Sequence, residues 1–97
     1  VAVGAANLYH SAVHAYLYED APTAQLSGLY KGAYFVLRAK HELATGEATA
    51  TKAELFSRLT GEDRIILGRS MEAAVEDPAL YGELIRWAGR LIVQYGE

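Results

Sequence analysis

Three histidines, a group of cations near the middle of the chain and seven tyrosines are the side chains whose types and spacing could do chemistry. His10 and His14 lie four residues apart, which on a helix places both imidazoles on one face at a spacing that can share a divalent ion. His41 belongs to a later segment, so a bundle that brought all three together could form a zinc or nickel site of a hydrolase. Such a site also wants acids holding the far ring nitrogens, and no carboxylate stands one helical turn from His10. Half-buried histidines bonded to a tyrosine or a carbonyl are the commoner case. The pattern therefore predicts no metal, with His10, His14 and His41 as the alternative set.

Lys40 falls between Leu29 and Ala33 on a helical wheel, inside an apolar arc. A lysine there must reach past the end of the core to water or meet a carboxylate or phosphate, and snorkelling near the helix end is the commoner of the two. Drawn into a cleft with Arg38 or Lys52, it would make an anion site. Tyr9, Tyr16, Tyr30 and Tyr34 could line a stacking pocket for a base or sugar, although such tyrosines more often form the polar rim of a core or an interface. The ligand-binding candidates are Lys52, Lys40, Arg38 and Tyr34. No Ser-His-Asp or paired-carboxylate arrangement follows from spacing. Gly28 and Gly32 fall within a helix, where they suit close packing rather than a phosphate cradle. The sequence thus predicts no catalytic residue and no cofactor in this chain alone.

Helices must hold these residues. The first runs from about Ala2 to Glu19 and ends before Ala21-Pro22. Its larger face gathers Val3, Ala6, Tyr9, His10, Val13, Tyr16 and Leu17, and the opposite face is small: Gly4, Ala5, Ser11, Ala12 and Ala15. Small residues let a helix approach closely, from this chain or a second subunit. Thr23 can cap a second, central helix through Leu26, Leu29, Tyr30, Ala33, Val36, Leu37 and Leu43, stopped at Gly46. Thr51-Lys52-Ala53-Glu54 is a capping box opening a short helix that ends at Gly61. Glu62 to Glu76 continues helically through Ile65, Ile66, Leu67, Met71, Ala74 and Val75, and Asp77-Pro78 restarts the chain as N-cap and first helical residue. The last helix carries Leu80, Tyr81, Leu84, Ile85, Trp87, Ala88, Leu91 and Ile92 and ends at Gly96. No stretch alternates with period two over a strand's length. The expectation is an all-α protein, an up-down bundle of four to five antiparallel helices forming one domain over residues 1–97.

Composition bounds the rest. A chain of 97 residues removes roughly 60–65% of its unfolded surface from water, enough for one core. With 52% hydrophobic and 22% charged residues it has the make-up of a globular protein. A net charge of −3 argues against binding nucleic acid by bulk attraction. The lack of cysteine suits a reducing compartment, and the longest apolar runs fall far short of a membrane span, so a cytoplasmic location is expected. The chain opens helically at Val1 without a methionine, as a piece of a longer protein would.

The stretch Gly32-Ala33-Tyr34-Phe35-Val36-Leu37-Arg38-Ala39, followed by Thr45-Gly46-Glu47 and Thr51-Lys52-Ala53-Glu54-Leu55, resembles the helical domain that accompanies small nucleotidyltransferases. It is similar to the C-terminal bundle of aminoglycoside adenylyltransferase-type enzymes and, more loosely, to HEPN bundles, over about half of the chain. The resemblance implies a non-catalytic accessory domain that packs on a nucleotidyltransferase catalytic domain and helps to close its site, with nucleotide as a candidate ligand and Lys52 on the phosphate side. A cation at a helix start fits that role, since the backbone amides there also favour an anion. The catalytic half, with its Gly-Ser turn and aspartate pair, is not in this sequence, nor is the Arg-x4–6-His signature of HEPN ribonucleases: Arg38 and His41 stand too close, and neither Arg58 nor Arg64 has a histidine at that distance. The rival expectation is a homodimeric interaction module, with the small face of the first helix and Trp87 as contact surfaces.

Overall fold

Helix boundaries follow local chemistry at most of the turns. In the computed structural model, which describes residues 1–18, 23–72 and 77–96, the elements are α1 (Ala2–Tyr18), α2 (Thr23–Thr45), α3 (Lys52–Arg58), α4 (Gly61–Ser70) and α5 (Ala79–Tyr95). Gly46 stops α2 in the left-handed region, at φ 75°, where a side chain would be strained. Thr51 Oγ1 accepts from the Glu54 amide at 3.1 Å, and Glu54 Oε2 accepts in return from the Ala50 amide at 3.1 Å, one residue further back than Thr51's own N–H. Asp77 Oδ1 takes the Ala79 amide at 3.0 Å and so caps α5. The break at Ala21-Pro22, the side chain of Thr23 expected to cap α2 and the packing of Ala74 and Val75 lie outside what is described.

The third helix ends earlier than its glycine suggests. α3 stops at Arg58, and Leu59, buried and extended at φ −89° and ψ 155°, turns the chain. Gly61 does not terminate α3. It opens α4 at φ 63°, a left-handed entry that glycine makes without steric cost.

Packing overturns the expected face of α1. Ala5, Leu8, Ala12 and Ala15 are buried, whereas Val3, Tyr16 and Leu17 are exposed. The bulk of the core comes from α2 and α5, whose Tyr30, Tyr81 and Trp87 are its largest fully enclosed side chains. A helix that lies against both must be thin on its inner side, so the small face goes in and the larger residues are left in water. At Gly4 a Cβ would sit 3.2 Å from Val36 Cγ2, and at Gly32 one would sit 3.4 Å from Leu8 Cδ1, so these two glycines set the approach of α1 to α2. Gly89 does the same beneath the Tyr9 ring on α5. Leucines 26, 37, 55, 67 and 84 with Ile66 complete the centre, each contributing roughly 1.5–3 kcal/mol by leaving water. Of the contact surfaces expected for a dimer, Ala5, Ala12, Ala15 and Trp87 are consumed by this core, while Gly4 and Ser11 stay exposed.

Candidate functional site

Polar groups gather where α2, α4 and α5 meet. Lys40 does meet a carboxylate: its Nζ lies 2.5 Å from Asp63 Oδ2, and Asp63 Oδ1 accepts from Trp87 Nε1 at 3.0 Å. One aspartate thereby joins three helices. Its position in the first turn of α4 also places a negative charge where the helix dipole favours one. Earlier on α2 the same pattern recurs deeper in the core: the Tyr30 hydroxyl donates to Glu83 Oε1 at 2.7 Å, with the Leu80 carbonyl oxygen 2.9 Å away, and Arg69 Nε reaches the same Glu83 oxygen at 3.4 Å. Burial, and then the Glu83 carboxylate beside it, push the Tyr30 phenol far above its ordinary value. The Glu83 hydrogen bond raises the Arg69 guanidinium as well.

Of the four ligand-binding candidates, two come together and two do not. Lys52 Nζ stands 5.1 Å from the centre of the Tyr34 ring and 3.4 Å from the Ser70 carbonyl oxygen, at the C-terminal end of α4. Its charge is thus already placed between a ring face and a helix end that attracts cations. Lys40 is committed to Asp63. Arg38 is exposed and has no ion pair among the described residues. The tyrosines expected to share a stacking pocket are dispersed: Tyr30 is sealed in the core, Tyr34 lies under Lys52, Tyr9 rests on Gly89, and Tyr16 pairs with Tyr81 at 6.2 Å.

His10 and His14 are exposed on α1 and border a shallow depression with Ser11 and Gln25. Among the described residues no group of three or more His, Cys, Asp or Glu side chains stands close enough to hold a metal ion. His41 is half-buried, and neither its Nε2 nor the enclosed Thr49 Oγ1 finds a hydrogen-bond partner among the described residues.

The outer surface of α1 and α2 has the opposite character. α1 carries no Asp, Glu, Lys or Arg over its seventeen residues, yet Val3, Tyr16, Leu17 and Tyr18 are between 52% and 75% exposed. On α2, Gly28, Phe35, Ala39 and Leu43 form an exposed stripe beside the half-buried Gly32, with Phe35 61% and Leu43 68% in water. Between the two helices runs a groove of about 460 Å³, floored by Gly4, Gly28 and Gly32 and bordered by Ser11, Phe35 and Ala39. A Cβ at Gly28 would meet nothing within 4 Å, so internal packing does not require glycine there. Lys31, Arg38 and Glu42 line one edge of the stripe, exposed and without ion pairs among the described residues. Periodicity counted Leu43 toward the core and so missed this face. The signal that could have found it is a first helix without Asp, Glu, Lys or Arg.

Comparison with protein-family models, with curated proteins and with solved structures returns no match. None of the described helices is long and apolar enough to cross a membrane.

Proposed function

We propose that this chain is a non-catalytic helical accessory domain of the cytoplasm, an up-down bundle of antiparallel helices that works by binding a protein partner through the outer surface of α1 and α2. Contacts running in opposite senses, Gly4 to Val36 with Leu8 to Gly32 and Tyr9 to Gly89 with Tyr16 to Tyr81, support the antiparallel arrangement. One observation carries the functional reading: apolar side chains stand in water on a face whose bordering charges are unpaired among the described residues, whereas four cations elsewhere are matched inside the chain. Lys40 holds Asp63, Arg58 holds Glu47 at 2.6 Å, Arg90 holds Glu62, and Arg69 lies between Glu72 and Glu83. An exposed apolar surface of this kind favours a binding face, and side chains already satisfied at home are poorly placed to grip a substrate.

The sequence resemblance suggests the catalytic domain of a nucleotidyltransferase as the partner. It also suggests a nucleotide near Lys52, which the ring and carbonyl around that ammonium support less. Light scattering of the chain alone and mixed with a nucleotidyltransferase catalytic domain tests the reading, together with calorimetric titration of magnesium ATP. Association in either sample, lost in Phe35→Glu with the melting temperature unchanged, is the expected result. A chain that stays monomeric in both samples, or that binds ATP in a manner abolished by Lys52→Met and indifferent to Phe35→Glu, would overturn it.

A further inference from the structure

We infer that the occupant of the α2 face is a second copy of this chain, held by an antiparallel seam of α2 against α2; this rests on the binding-domain reading above. A two-fold interface demands a patch that complements itself, and the exposed stripe does so at one register. Lys31 and Glu42 stand on the same edge of α2 with opposite charge. When two copies of α2 run antiparallel, like edges face each other, and Lys31 of one lies opposite Glu42 of the other if the axis passes at Val36 and Leu37. Arg38 then lies near the axis beside Arg38 of the second copy, with Glu42 of its own helix one helical turn away to offset that like charge.

That register also matches shapes. Phe35, the largest exposed side chain of the stripe, falls within about one residue of Ala39 of the second copy. Leu43, 68% exposed, falls on the hollow between Gly28 and Gly32, where a Cβ at Gly28 would touch nothing in the single chain. The charge pair and the leucine over the glycines share one midpoint, and the aromatic on the alanine falls about half a residue from it. Glycine within a helix costs about 1 kcal/mol relative to alanine, and the seam gives Gly28 a reason that the isolated bundle does not. α1, which carries no Asp, Glu, Lys or Arg, flanks the seam from each copy beside the glycine-floored groove.

Sedimentation equilibrium of the 97-residue chain over a concentration series, at low and high salt, tests this directly. A dimer that weakens with salt is expected. Lys31→Glu and Glu42→Lys should each raise its dissociation constant about tenfold, because each reversal is felt twice across the axis, and the double variant should recover most of the loss. Phe35→Glu should raise it about a hundredfold or more. Gly28→Leu should weaken the dimer while leaving the melting temperature of the dilute monomer no lower, which separates the seam from folding. A monomer at every concentration that nevertheless binds a nucleotidyltransferase catalytic domain would overturn the second copy and leave the binding-domain reading standing; a monomer that binds neither would overturn both. A dimer in which the double charge swap fails to rescue, or which ignores Gly28→Leu, would overturn the α2 seam.

Discussion

The two sides of α2 are opposites in how they treat charge. Its inner and α4-facing side commits Lys40 to Asp63 and Tyr30 to Glu83, each acceptor shared with a second donor from another helix. Its outer side leaves Lys31, Arg38 and Glu42 unpaired among the described residues, next to Phe35 and Leu43 in water. One face is finished by the chain itself and the other is not. A buried polar group without its partner costs about 1–3 kcal/mol, so the inner side reports on folding, and substitutions on the outer side should report on association.

The contrast breaks most visibly at its inner end. Trp87→Ala should cost about 3–5 kcal/mol, read as a lowered urea midpoint, since it empties a fully enclosed site and leaves Asp63 Oδ1 unpaired. Asp63→Ala should cost about 2–4 kcal/mol by stranding both the Lys40 ammonium and the indole N–H, and Lys40→Met in the same background should recover part of the loss. Tyr30→Phe should cost about 1 kcal/mol near neutral pH and change the response to alkali. The folded chain holds that phenol protonated far above its ordinary value, whereas the unfolded chain releases the proton near a pH of about 10. The associated stability is intact below that pH and declines above it, so wild type should lose urea resistance between about pH 9 and 11 more steeply than Tyr30→Phe. Smallest of all, Phe35→Ala and Leu43→Ala should shift the unfolding free energy of the dilute chain by no more than about 0.5 kcal/mol. A large loss there would mean that the outer face belongs to the fold after all.

Much of the frame is legible from local chemistry. Gly46 as a stop, Thr51 with Glu54 as a box and Asp77 as a cap act within a few residues of themselves, so the sequence window contains both partners. Gly61 shows the limit of that reasoning: a glycine between two helical patterns can end one or begin the next, and the buried Leu59 decides for the second. Periodicity ranks the faces of α1 by bulk, while its inward face is chosen by the room that Tyr30, Tyr81 and Trp87 leave. The site was less legible still. The conflict at Lys40 could be seen in the sequence, but its resolution could not, since Asp63 is 23 residues away and no period links them. Spacing groups Lys52 with Lys40 and Arg38, and Tyr34 with the other tyrosines, whereas the structure sets Lys52 against the Tyr34 ring and the end of α4.

The chain has one tryptophan, 1% exposed, with its indole N–H held by Asp63 where α2, α4 and α5 meet. That placement makes it a built-in optical gauge. Its emission should shift to longer wavelength when α4 and α5 part and remain constant when a second molecule docks on α2. Fluorescence and light scattering, read on one sample, would therefore separate loosening of the core from assembly without any added label.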